Sequence, residues 1–94
     1  MRTNDEVYAM AVKRLNELRT GDRAIIERVQ GVGRFRHRLM EMGFVPGAEI
    51  VVEKYAPLKD PIEYILKGYH VSLRHTEAEK IMVSDSGEEK KENS

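Results

Sequence analysis

RFRHRLMEMGFVPGAEI, residues 34–50, is the stretch that decides the fold. Phe35, Leu39 and Met42 stand at i, i+4 and i+7 and share one helical face, while Arg34, Arg36, His37, Arg38 and Glu41 fill the other positions. Gly43 follows the last apolar position, where a left-handed residue commonly ends a helix and glycine adopts that conformation with no Cβ to obstruct it. Pro46-Gly47 then fits the centre of a type II turn, since proline sets φ at the first central position and glycine accepts positive φ at the second. Strand-like sequence begins at Ala48. A helix, a stop and a β-turn in so short a stretch place the helix between strands, not in a helical bundle.

On the N-terminal side, Gln30-Gly31-Val32-Gly33 reads as a loop and 24–29 as a strand rich in β-branched residues. Strand, Gly-x-Gly and helix in that order resemble a dinucleotide fingerprint. Arg36 stands where the third glycine belongs, however, and too little chain follows for a series of βαβ units. Thr20-Gly21-Asp22 is a turn cluster. Residues 1–14 are expected to form a helical extension packed on the domain. Thr3 and Glu6 have capping-box spacing, and Val7, Met10, Ala11, Leu15 and Leu18 keep helical spacing.

On the C-terminal side, 48–56 reads as a strand with Ile50 and Val52 on one face and Val51 and Tyr55 on the other. The two prolines make 57–61 a loop. Ile62, Tyr64 and Leu66 alternate in a third strand, Gly68-Tyr69 turns the chain, and 70–73 is a short fourth strand. Thr76 and Glu79 suggest a second capping box, with a helical turn around 77–80. Residues 81–83 close as a last strand, so the domain should span 15–83. The segment 84–94, SDSGEEKKENS, has no large apolar residue to offset the entropy of ordering and is expected to be a disordered tail. The expected class is mainly β with one or two short helices, in a small closed barrel that hides its sheet edges. Pattern alone leaves SH3-like and OB-like barrels both open.

The totals narrow the function. The 94 residues suit one small domain. Sixteen basic and 16 acidic residues balance, which argues against bulk nucleic-acid binding. The chain has no cysteine, so disulfides, thiolate metal sites and cysteine nucleophiles are excluded. No apolar run approaches the roughly 20 residues that cross a bilayer. The N-terminus lacks the apolar region of a signal peptide, so a cytoplasmic location is expected. No serine has a credible base beside it, and the carboxylates alternate along strands as on a solvated face, so no enzyme is expected. His70 and His75 are the candidate metal ligands, without the spacing of an established site. Arg34, Arg36 and Arg38 form a basic patch, a solvated face or a contact for an acidic partner. Phe44, Val45, Leu58 and Tyr69, apolar and in predicted turns, either cap the core or form an exposed interface.

The strings RLMEMGFVPGAEIVV, APLKDPIEYILKGYHVSLR and EAEKIMV, in that order, resemble the FeoA family of small proteins of ferrous iron transport. The resemblance covers about residues 15–83. It implies an SH3-like barrel and a partner, the FeoB-type membrane permease with its cytoplasmic G domain, whose transport such a protein regulates. It implies no catalytic residue and no required cofactor, with ferrous iron as the metal ion it leaves open; a monomer or weak oligomer is expected. Related domains end iron- and manganese-dependent repressors, which makes a ferrous-iron sensor module the alternative. Arg34, Arg36, Arg38, Phe44, Val45, Leu58 and Tyr69 are the residues expected at the partner interface.

Overall fold

The computed structural model describes residues 12–85. Six strands form one antiparallel sheet: β1 (Val12–Arg14), β2 (Arg23–Val29), β3 (Glu49–Lys54), β4 (Ile62–Leu66), β5 (Tyr69–Leu73) and β6 (Ile81–Asp85), in the order β1-β6-β2-β3-β4-β5. A 3-10 turn, η1 (Leu15–Glu17), follows β1. Helix α1 (Gly33–Glu41) lies between β2 and β3, and α2 (His75–Ala78) between β5 and β6. The fold is mainly β with two short helices, as the sequence pattern implies.

The period-2 alternation holds where it was expected. Ile50 and Val52 of β3 and Ile62, Tyr64 and Leu66 of β4 are all buried, while Val51 and Tyr55 are only partly so. Ala24, Ile26, Leu73, Ile81 and Val83 complete the inward faces of β2, β5 and β6. Phe44 and Tyr64 are the aromatic members of an otherwise aliphatic core. Hydrogen bonding does not close the sheet, because β1 and β5 are its two edges. Closure comes from packing: η1 follows one edge and α2 the other, the two touch, and they carry Leu15 and Ala78 fully into the core.

Four local expectations change. Val12–Arg14, expected at the end of a helix, is a strand paired with β6 through Val12↔Ser84, Lys13↔Val83 and Arg14↔Met82. Ser84 and Asp85, expected in the polar tail, are the last residues of β6, where cross-strand pairing with Ile25 and Ala24 orders them without apolar side chains. The rest of the expected helical extension and tail lies outside the described residues. At α2 the box partner is Glu77, not Glu79: its Oε1 accepts the Arg74 backbone N–H at 2.9 Å, and the helix starts at His75.

The β4–β5 turn is Lys67-Gly68, one residue earlier than expected, and both residues have positive φ, 53° and 86°. That is the type I′ hairpin, whose twist matches its strands and whose first central position favours asparagine. Lys67→Asn should therefore stabilise the domain, by about 0.5 kcal/mol. A urea midpoint that does not rise would refute it.

Tyr64 is fully buried, and its hydroxyl has no hydrogen-bond partner among the described residues. Burial pushes its ionisation well above the ordinary tyrosine value, and nearby Tyr55 adds to the shift. A buried donor left unpaired costs about 1–3 kcal/mol. Tyr64→Phe is expected to leave stability unchanged or raise it by about 1 kcal/mol. A clear loss on thermal melting would show that the hydroxyl has a partner.

Candidate functional site

Helix α1 ends as its sequence dictates. Gly43, at φ 109°, donates its N–H to the Met40 carbonyl at 3.0 Å, and Phe44 donates to the Leu39 carbonyl at 3.0 Å. These are the two bonds of the Schellman motif, and its hydrophobic contact is the buried pair Leu39 and Phe44. The Pro46-Gly47 turn closes with Ala48 N–H on the Val45 carbonyl at 3.1 Å, and Gly47 has φ 93°, as type II requires. Of the expected helical stripe, Leu39 is buried and Phe35 packs against the core. Met42, at the C-cap, stays 39% exposed.

The residues of the basic run are all exposed but have different intramolecular partners. Arg36 Nε donates to the Val29 carbonyl at 3.3 Å and ties α1 to β2. Arg38 Nη2 meets Glu77 Oε2 at 2.6 Å and ties α1 to α2. His37 pairs with Glu41 one turn along, at 3.0 Å. Arg34 is exposed at the first turn and has no ion pair among the described residues.

The apolar candidates separate too. Phe44 is fully buried, so it caps the core and presents no surface; as the residue just past the helix stop it must turn inward to complete the Schellman contact. Val45 is half-buried against the core. Tyr69 is 75% exposed and Leu58 fully exposed, but they lie at opposite ends of the sheet. Tyr69 pairs with Leu66 at the β4–β5 turn. Leu58 sits in the β3–β4 loop, beyond the Lys54↔Glu63 pair. The length of β4, about 13 Å at ~3.3 Å per residue, separates them. The cross-strand partner of Tyr69, Leu66, reaches the end of α1, since a Cβ on Gly43 would come 3.3 Å from Leu66 Cδ2. Arg34 lies in α1, Met42 and Val45 in the segment just past it, and Tyr69 at the β4–β5 hairpin. Leu58 belongs elsewhere.

The two histidines are engaged separately. His70 Nδ1 is 2.8 Å from Glu53 Oε1. A carboxylate only accepts, so Nδ1 carries the proton and Nε2 is the open nitrogen. His75 Nε2 is 2.8 Å from the Lys59 carbonyl and must donate to it, while the His75 backbone N–H donates to Asp60 Oδ1 at 2.8 Å. The structure gives His70 and His75 no shared ligand set. Among the described residues no group of three or more His, Asp and Glu could hold a metal ion.

A cleft of about 400 Å³ opens at the β3–β4 loop, and sequence reasoning missed it. Thr20, Tyr55, Ala56 and Pro61 form its walls, and Lys54, Lys59 and Glu63 bring charge to it. Its frame is hydrogen-bonded on both sides. Tyr55 N–H donates to Thr20 Oγ1 at 2.9 Å, and Lys59 N–H to the Ala56 carbonyl at 3.0 Å. The His75 bonds hold the loop from α2, and the Tyr55 and His75 rings meet edge to face at 5.9 Å. The Asp60-Pro61 bond within it is cis. The register could not be foreseen, because a bulge between Val52 and Lys54 sets Lys54 opposite Glu63.

Glu77 holds the helical side together. The Arg74 N–H first, and Arg38 second, hold its carboxyl below the ordinary glutamate value of 4.5. A depressed carboxyl contributes stability that is complete above the unfolded value and is lost as pH falls through the folded one. Glu77→Gln should therefore be less stable than the parent at pH 7, with the gap closing well below pH 4.5. Denaturant titrations at both pH values check this, and a gap that persists in acid would refute it.

Comparison with known proteins agrees with this architecture. The FeoA domain family model matches residues 13–85. A Fe(2+) transport protein A/Fe(2+) transporter FeoB fusion protein of Porphyromonas gingivalis is 56% identical over 70 residues, 74% of this chain but only 8% of that protein. FeoA of Chlorobium tepidum superposes with a TM-score of 0.74 at 40% identity, covering 83% of this chain and 74% of its own. FeoA of Stenotrophomonas maltophilia, solved with zinc and described as a procaryotic SH3 domain protein, gives 0.68 at 30% identity over 74% of this chain and 87% of its own. Between the SH3-like and OB-like barrels left open by pattern, these neighbours select the first. A family model matched over nearly all the described residues, a curated relative above half identity and two superposable FeoA structures lead to one conclusion: this chain belongs to the FeoA domain family.

Proposed function

We propose that this chain is a cytoplasmic, non-enzymatic accessory of ferrous iron uptake that docks on the G domain of a FeoB-type permease and modulates transport. The observation that carries this reading is the fusion. In the Porphyromonas gingivalis relative the two parts are one polypeptide. A tether of that kind holds its modules together at about millimolar effective concentration, an arrangement suited to parts that work in contact. No helix among the described residues is long and apolar enough to cross a membrane, so a bilayer-embedded role draws no support from a helix.

The test is an amide NMR titration of the labelled chain with the G domain of a ferrous transporter, in GDP and in a GTP analogue. Shifts that saturate are expected. Dependence on the nucleotide would make the GTPase cycle the regulated step. No shift at high partner concentration in either state would refute docking on the G domain.

A ferrous-iron-binding module is the second reading, and one observation favours it. Glu53 orients His70 with Nε2 open, as a carboxylate orients a metal-ligating imidazole. The described residues supply no group of three ligands, so a partner or water would have to complete the sphere. Anaerobic titration with ferrous iron should then broaden the His70 ring resonances, and unchanged rings would dispose of it.

A further inference from the structure

We infer that the cleft at the β3–β4 loop seats a carboxylate side chain on an extended segment of a protein partner, held by Lys54 and Lys59, with an apolar neighbour of that carboxylate resting on Leu58. The inference rests on the docking function proposed above and deepens it.

Charge is the first argument. The structure shows five ion pairs among the described residues, and neither Lys54 nor Lys59 is in any of them. Both lysines line the same cleft. Glu63, the cross-strand partner of Lys54, lines it too, yet forms no ion pair there. Two cations and one anion leave the cleft one positive charge in excess. A single carboxylate neutralises that excess, whereas a doubly charged phosphate would overshoot it against Glu63.

Size and shape are the second. About 400 Å³ is room for a side chain and part of its backbone, in the lower range of ligand pockets. The aromatic wall from Tyr55 and the apolar Ala56 and Pro61 suit the methylenes of a carboxylate-bearing side chain. Leu58, in the same loop, is 100% exposed, and none of the described residues covers it. A free anion would make no use of it, while a peptide would.

Preorganisation is the third. The loop is fastened by Lys59 N–H to Ala56, by His75 to the Lys59 carbonyl, and by Asp60 to the His75 N–H. The cleft therefore stands formed before a ligand arrives, which reduces the ordering cost of binding.

The experiment uses the full, isotope-labelled chain and three probes: a blocked peptide, acetyl-Gly-Leu-Glu-Gly-amide, its Gln counterpart, and inorganic phosphate. The acidic peptide should shift the amides of residues 54–63, with affinity that falls as salt rises. The Gln peptide and phosphate should each bind at least about tenfold more weakly. Lys54→Gln with Lys59→Gln, both on the surface, should remove the shifts while leaving the rest of the spectrum in place. Equal binding of the Gln peptide, equal binding of phosphate, or no shift with the acidic peptide overturns the inference. The G domain separates the two claims. If it binds parent and double variant alike, the cleft is refuted and docking stands. If it does not bind the parent, docking is refuted and the peptide series still decides the cleft.

Discussion

Phe44→Ala is expected to destabilise the domain by about 3–5 kcal/mol, enough to leave it largely unfolded at 37 °C. The side chain is fully buried, one of two aromatics in an aliphatic core, so truncation leaves a cavity that the surrounding β-branched residues fill poorly. It also removes the contact with Leu39 that completes the stop of α1, so the helix should fray in the same variant. Leu58→Ala, at a fully exposed position, should move stability by less than about 0.5 kcal/mol. Urea denaturation of the pair checks both. A Phe44→Ala protein with near-parental stability would mean that this residue is not the core plug its burial indicates.

The second large effect is expected at Gly43, where Gly43→Ala should cost about 2–3 kcal/mol. Two causes add. At φ 109° an L-residue is strained, and the new Cβ would stand 3.3 Å from Leu66 Cδ2 on a strand with little freedom to retreat. Gly47→Ala separates them. Gly47 has φ 93° with nothing within 4 Å of a Cβ, so only the backbone cost of about 1 kcal/mol remains. Thermal melts should rank Gly43→Ala below Gly47→Ala, and the reverse order would show that the Leu66 contact yields freely.

What the sequence by itself determined here is what depends on neighbours along the chain. Helix α1, its stop at Gly43, the Pro46-Gly47 turn and the inward faces of β3 and β4 are written in spacings of a few residues, because helical and strand periods and the φ preferences of glycine and proline act locally. The resemblance of those strings to FeoA proteins was legible for the same reason. Tertiary structure decided the rest. Whether Arg36 and Arg38 face a partner or brace α1 depends on where Val29 and Glu77 end up. Whether Leu58 and Tyr69 meet depends on the length of β4 between them. The pairing of Val12–Arg14 with β6 overrode a helical pattern, since a strand's partner can lie anywhere in the chain. The cleft follows from a bulge that no local signal announces: by adding one residue to β3 it set Lys54 against Glu63, and the three-dimensional path of the loop then brought Lys59 to the same opening.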